Sequence, residues 1–321
     1  MSDELARWAA RRAPELRARA EAEVIAELRR ALLAEALGPA RAPEPEPEAP
    51  PAAPRPPAPQ GEVLWAYGVT GASDSVCRLS SRLGGEHPVE RLEHDGLALL
   101  VSRVPRAEFA EEPLRRNLND FEWLEQVARA HEEVLEHALE HVPVVPLRLC
   151  TIFDGEAGAS RMLEAHGEAL RTVLGKLEGR QEWSVKLLVD QPSLLAAGAR
   201  RRGAPVDAGS PGSGAEYLLR RRAEREDRDA ADQIASEIAD DVHARLQDWA
   251  AGAVLRPAQN RELSGHEGEM LLNGAYLVET AKVPQLRELV AELRDRHAEL
   301  GARIELTGPF PAYNFVPRLE P

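Results

Sequence analysis

Histidine and glutamate are concentrated in one short segment, HEEVLEHALEH, which carries His131, His137 and His141. These side chains can bind zinc, but the HExxH spacing of helical zinc sites is absent. Only His137 and His141 share a helix face, since residues four apart lie one above the other. Two ligands do not complete a site, so we interpret the segment as a solvated helix face with charge pairs four residues apart. No metal is expected.

The sequence also contains no motif that indicates a reactive nucleophile or a phosphate-binding loop. Neither GxSxG nor CxxC occurs, and Cys150 lies in a predicted buried strand, where cysteine behaves as a small apolar residue. Lys176 follows a glycine but precedes Leu177, whereas a P-loop needs Ser or Thr there. The glycine-rich stretch at 209–214 is interpreted as a flexible loop. We therefore expect no enzyme and no cofactor.

The composition limits the partners. A formal net charge of -14 and a pI near 5.2 oppose binding to nucleic acid or anionic lipid. No run approaches eighteen consecutive apolar residues, and the amino terminus lacks the apolar stretch of a signal peptide. We expect a cytoplasmic protein that binds no nucleic acid and does not insert into a membrane.

The first 60 residues differ in composition from the rest. Residues 1–38 are rich in Ala, Glu, Arg and Leu with apolar residues three to four apart, which predicts a helical extension. Residues 39–60 are Pro, Ala and Glu, and such a linker reaches roughly 70 Å when stretched. The helix is either a partner-docking arm or a solubilising appendage, and the sequence does not decide between these.

The body predicts an α+β fold of two domains. In residues 61–191 the pattern is strand, hairpin with an Asp95-Gly96 turn, helix capped by Asp120, the buried strand VVPLRLCTIF, helix, and strand. Helices that cover one face of a mainly antiparallel sheet indicate a ferredoxin-like domain.

The second predicted domain follows a loop or hinge. Residues 192–213 gain Gly, Pro and Ser and are interpreted as that hinge. Residues 214–321 then predict a smaller helix-rich α/β domain with an aromatic C-terminal tail. Its long first helix carries an apolar stripe with four-residue spacing, which we expect to face a core: Ile234, Ile238, Val242 and Leu246.

Seven stretches, taken together, resemble the gas vesicle GvpL/GvpF family and occur in the family's order. They cover roughly residues 62–317: WAYGVTG, RRNLNDFEWLEQVARAHEEVLE, VVPLRLCTIF, EGRQEWSVKLLVD, AEYLLRRRAERE, LLNGAYLVE and LTGPFPAYNFVP. The chain departs from the family's usual pattern at Leu149-Cys150, where Phe-Gly is usual, and at Phe310, where Trp is frequent. Residues before Glu62 lie outside the resemblance.

The resemblance implies a non-catalytic accessory protein of gas vesicle assembly, acting in nucleation or chaperoning and located in the cytoplasm and on the gas vesicle. The implied partners are the small amphipathic shell protein and other gas vesicle accessory proteins. Candidate interaction or interdomain residues are Arg148, Tyr217, Arg220, Arg221, Tyr313 and Phe315.

The aromatic tail is unusual in a chain with only 4% aromatic residues. Pro309 and Pro311 remove backbone donors, so the tail cannot continue a sheet. We hypothesise that Tyr313 and Phe315 fold back into a groove between the two domains and fasten them. Direct contact with the shell protein is the other interpretation.

Other function classes stay open from the sequence. The basic cluster LLRRRAER, followed by EDRD, favours an intramolecular or partner salt-bridge face over a nucleic-acid site. An alternative function is a ferredoxin-like ligand-binding or hydrolytic protein with a pocket between its domains. A third is a homo-oligomeric scaffold built through the N-terminal helix. The oligomeric state is not determined by the sequence.

Overall fold

The computed structural model describes residues 61–74, 80–83, 85–203, 214–258 and 268–317, without the side chains of Ser80 and of residues 214–220. The predicted N-terminal helix (1–38) and Pro-rich linker (39–60) lie outside the described residues. The chain divides into two units, the first running to Glu178 and taking in Val316, the second being Gly179–Phe315.

The first unit is an antiparallel sheet with helices. Its sheet has the order β4-β5-β1-β6, and β7 also pairs with β1, while β2 and β3 form a separate two-stranded pair. The strands are β1 Glu62–Gly71, β2 Ser80–Ser81, β3 His87–Pro88, β4 Glu90–His94, β5 Leu97–Pro105, β6 Val145–Pro146 and β7 Ile152–Phe153. The helices are α1 Arg106–Phe109, α2 Glu111–Asn117, α3 Phe121–Leu139 and α4 Glu156–Leu177.

Two local predictions for this unit agree with the structure. Asp95 and Gly96 turn the β4–β5 hairpin with φ values of 46° and 75°, the positive values that a two-residue hairpin turn uses. Asp120 caps α3, since its carboxylate accepts hydrogen bonds from the backbone N–H groups of Glu122 (3.0 Å) and Trp123 (3.3 Å).

The prediction of one continuous strand over VVPLRLCTIF is wrong. The segment forms β6 and β7, which pair with different parts of β1 and are separated by a turn. The turn is closed by the backbone N–H and hydroxyl of Thr151, which both donate to the Arg148 carbonyl, and it holds Cys150 at a φ of 66°. Apolar composition does not reveal such a break, because a buried turn can be as apolar as a buried strand.

The described residues of the second unit form three helices, a four-stranded sheet and short 3-10 turns. The helices are α5 Gln191–Arg201, α6 Gly214–Trp249 and α7 Val283–His297, and the strands are β8 Arg180–Val189, β9 Gly252–Leu255, β10 Glu269–Glu279 and β11 Ala302–Phe310. The sheet is antiparallel in the order β11-β8-β10-β9.

The connectivity assigns the two units differently from the sequence prediction. The described elements of the second unit are, in chain order, strand, helices, two strands, helix and strand, which is the β-α-β-β-α-β order of ferredoxin-like topology. Among the described residues of the first unit, β1 and the β4–β5 hairpin come before the helices, so the ferredoxin-like arrangement predicted for residues 61–191 is not confirmed there. An alternating list of elements does not say which strands share a sheet.

The boundary between the units also lies elsewhere than predicted. β8 pairs with β10 and β11, so the strand predicted to end the first domain belongs to the second unit. The predicted hinge at 192–213 begins with helix α5, capped by the Asp190 side chain at Ser193. Gly198 brings α5 close to α6, since a Cβ there would lie 2.6 Å from the Asp227 carbonyl oxygen. Residues 204–213 lie outside the described residues.

The core of the second unit is built as the α6 stripe predicts. The four stripe residues are buried in one apolar cluster with side chains of the sheet and of α7, among them Val185, Leu187, Leu272, Tyr276, Leu286 and Val290. The helices pack on this face, leaving the other face of the sheet to a different set of residues. None of the helices in the described ranges is long and apolar enough to cross a membrane.

Candidate functional site

The chain leaves the sheet of the second unit at the end of β11. The register of β11 against β8 shifts after Thr307, and Phe310 is then paired with Glu182. Gly308 has a φ of 142°, where side chains are strained, and a Cβ there would lie 3.0 Å from the Glu182 carbonyl oxygen. Pro309 and Pro311 follow, and neither can donate to a ladder. We call residues 309–315 the strap.

Asn314 attaches the strap to β8. Its backbone N–H donates to Oε2 of Glu182 at 3.1 Å, and its side-chain amide donates to Oε1 of the same carboxylate. Glu182 is only 4% exposed. Because a buried carboxylate is costly without donors, this pair both positions the strap and helps to compensate the charge.

Phe315 carries the strap to the opposite edge of the sheet. A 3-10 turn, closed by the Phe315 N–H and the Ala312 carbonyl at 3.0 Å, presents its ring to β9. The ring lies against Gly252, where an added Cβ would be 3.2 Å from the ring atom Cε1. Since Gly252 pairs with Leu277 of β10, the strap runs from β11 past β8 to β9.

Glu182 and Gly252, the residues that receive the strap, were not identified from the sequence. Glu182 belongs to an alternation in β8, in which Glu182, Ser184 and Lys186 interleave with Trp183 and Val185. That alternation signals a strand with one polar face and could have directed attention to Glu182. Gly252 carries no comparable signal, because the space for a side chain there is limited only once the tail has folded against it.

The structure distributes the predicted candidate residues over three places. Tyr313 and Phe315 share the 3-10 turn of the strap and are half-buried. Arg148 is exposed in the turn between β6 and β7, and Arg221 is exposed on α6. Tyr217 and Arg220 belong to the α6 backbone, but their side chains lie outside the described residues. That Tyr313 and Phe315 fasten the two units stays a prediction.

Ion pairs join α6 to the end of α5. Arg202 contacts Glu226 at 2.9 Å and also binds Asp227, and Arg201 forms two hydrogen bonds with Glu237 at 2.8 and 3.0 Å. Arg222, from the predicted basic cluster, pairs with Glu226 at 2.9 Å. The acidic residues after the basic cluster therefore form intramolecular ion pairs.

His131 departs from the predicted solvated helix face because its side chain is fully buried. The Trp65 indole N–H donates to Nδ1 at 3.1 Å, so the ring proton is on Nε2, which donates to the Leu147 carbonyl at 3.2 Å. Burial lowers the pKa of His131 to about 4. A neutral imidazole thus links α3 to β1 and to the residue that follows β6.

The surroundings of His137, His141 and Cys150 do not indicate a reactive site. His137 and His141 share a face as predicted, with their rings stacked 5.2 Å apart. Across the described ranges, no group of three His, Cys, Asp or Glu side chains is placed to hold a metal ion. Burial raises the pKa of the Cys150 thiol to about 12, which disfavours the nucleophilic thiolate.

Two solved structures have a similar α+β fold. The crystal structure of the gas vesicle protein GvpF from Anabaena sp. PCC7120 matches with a TM-score of 0.56 at 20% identity, covering 79% of this chain and 95% of that chain. The GvpF structure from Microcystis aeruginosa matches with a TM-score of 0.56 at 19% identity, covering 79% and 98%. At these identities the likeness shows the fold alone.

Sequence comparison supplies the family. The sequence model described as "Gas vesicle synthesis protein GvpL/GvpF" matches residues 63–317. Gas vesicle protein L of a Streptomyces species is 36% identical over 253 residues, which cover 78% of this chain and 92% of the relative. Gas vesicle protein L1 of Halobacterium salinarum is 25% identical over 270 residues, covering 80% and 90%. The chain belongs to the GvpL/GvpF family, which implies a role in gas vesicle formation.

Proposed function

We propose that this protein is a non-catalytic accessory factor that binds the gas vesicle shell protein, other accessory proteins, or both, during assembly. The observation that carries the proposal is the family match, which runs from β1 to the end of the strap and so includes both units. The proposed location is the cytoplasm and the gas vesicle surface.

A binding role is consistent with the chemistry of the described residues. The half-buried Cys150 has a raised pKa, and both ring nitrogens of the buried His131 are engaged by Trp65 and Leu147. A shell subunit with an apolar face needs protection from water until it polymerises, because exposed apolar surface and strand edges aggregate. An accessory protein that covers such a subunit for a short time would lower that risk.

Co-expression with the shell protein tests the proposal. The full-length chain and a chain without residues 1–60 are each captured, and the retained shell protein is quantified. Capture by both chains supports recognition by the region that matches the family. Capture by the full-length chain alone would assign recognition to the N-terminal segment, and capture by neither would contradict direct binding to the shell protein.

The candidate residues can be tested in the same assay. Arg148→Glu and Arg221→Glu reverse the charge of exposed side chains, so thermal stability should change little while capture falls if these residues contact the partner. For the strap, deletion from Tyr313 onwards distinguishes the two interpretations of the tail. A large loss of thermal stability supports packing, whereas an unchanged melt with lost capture supports direct contact.

A further inference from the structure

The sheet edges of the two units differ in their protection against pairing with another chain. The edge strand β4 reads ERLEH, and the edge strand β11 carries Arg303, Glu305 and Pro309. Charged side chains and prolines at an edge oppose the addition of a further strand. The remaining edge of the second sheet, β9, reads GAVL and has no such residue.

The strands that the structure describes leave the backbone groups on the outer side of β9 unpaired. The Arg256 N–H donates to the Asn273 carbonyl of β10 at 2.8 Å. Because hydrogen-bonding direction alternates along an antiparallel strand, the N–H and C=O groups of Ala253 and Leu255 point away from β10. Within the described residues, the sheet ends at β9.

Leu255 adds an apolar contact to this edge. Its side chain is 53% exposed, and in the part of the chain that the structure describes only Phe121, at 52%, is a comparably exposed large apolar residue. A strand added beside β9 would place a side chain next to Leu255, and cross-strand apolar pairs stabilise sheets.

We propose that β9 accepts an extended amphipathic segment of a partner polypeptide as a fifth strand of the second sheet. A four-residue strand is about 14 Å long. Such an edge does not approach the roughly 1,200 Å² that a stable interface between folded proteins buries, which argues against a second copy of this chain as the occupant. Main-chain pairing with a short segment instead gives reversible capture, with Leu255 selecting an apolar residue.

The test rests on the proposed function, because the probe is the gas vesicle shell protein. Full-length wild type, Leu255→Lys and Phe121→Lys are each co-expressed with it and captured. Leu255→Lys places a charge on the edge and should reduce the amount of retained shell protein at least about tenfold. Phe121→Lys removes an equally exposed apolar residue from the other unit, and this variant should capture as much shell protein as wild type does. Thermal melts check that both variants fold.

Hydrogen exchange gives a second readout on the wild-type complex. The outward amides of Ala253 and Leu255 should exchange rapidly in the free protein and slow at least tenfold on binding, whereas the inward amide of Arg256 is already protected by β10. Leu255→Pro, which removes one outward N–H, should also lose capture.

The outcomes separate the two hypotheses. If wild type retains no shell protein, direct binding to the shell protein and this inference fail together, while binding to other accessory proteins is not affected. If wild type and Leu255→Lys retain equal amounts, only the inference fails. A dimer in light scattering that Leu255→Lys dissociates would show a second copy on β9 and overturn the proposed occupant.

Discussion

Asn314 and Glu182 are joined by two hydrogen bonds although 132 positions separate them in the chain. The pair holds the carboxyl-terminal strap against β8 and supplies donors to a carboxylate that is largely shielded from water. Continuing from there, Phe315 packs on Gly252 at the far edge of the sheet. The aromatic tail therefore belongs to the fold of the second unit.

Asn314→Ala should lower the free energy of unfolding by about 2 kcal/mol, because it removes a hydrogen bond to a buried charged group. Chemical denaturation measures the loss. The control is Asn119→Ala. The Asn119 side-chain amide donates to the Arg115 carbonyl at the surface, so its loss should lower the free energy of unfolding by less than about 0.5 kcal/mol. Equal losses for the two variants would argue against a special role for the strap contact.

Gly252→Ala should force the Phe315 ring to move and so loosen the strap. We expect it to lower the free energy of unfolding by about 1 kcal/mol. A double-mutant cycle with Phe315→Ala isolates this contact, since Gly252→Ala should cost little once the ring is gone. An unchanged cost in the Phe315→Ala background would mean that the glycine is needed for another reason.

Gly274→Ala should destabilise the second unit by at least about 2 kcal/mol, because the new Cβ would lie 2.6 Å from Cε2 of the buried Tyr276 ring. The displaced ring would also strain the 2.9 Å hydrogen bond between the Tyr276 hydroxyl and Nδ1 of His243. The matched control is Gly175→Ala, at an open helix position, which should stabilise by roughly 0.5–1 kcal/mol. Thermal and denaturant unfolding of both variants check the contrast.

His131 should make stability depend on pH in the acidic range. Its folded pKa of about 4 lies below the ordinary histidine value of 6.5, so the unfolded chain binds a proton first as the pH falls. The contribution is complete above pH 6.5 and declines by about 3 kcal/mol as the pH approaches 4. Denaturation across this range measures it.

The control for this prediction is His131→Leu, which cannot titrate. It should be less stable at neutral pH, because the Trp65 N–H and the Leu147 carbonyl lose their partner. Its stability should nevertheless fall less steeply between pH 6.5 and 4. Parallel curves for wild type and variant would show that His131 protonates equally in both states.

Several elements could be predicted because their determinants are local. The Asp95-Gly96 turn, the Asp120 cap and the α6 stripe each depend on residues within a single helix or a single hairpin. Backbone preference and apolar periodicity act at that range, so they are visible in the sequence. The break between β6 and β7 is not, because its Thr151 to Arg148 turn lies in an apolar segment.

The sequence by itself determined the order of most helices and strands, the core face of α6 and the resemblance to the family. Only the tertiary structure decided that β8 joins β10 and β11, that His131 is buried against Trp65, and that the strap ends on Gly252. The physical reason is range: turns, caps and amphipathic periodicity are set by neighbouring residues. Sheet partners and buried polar pairs depend on which distant surfaces exclude water together.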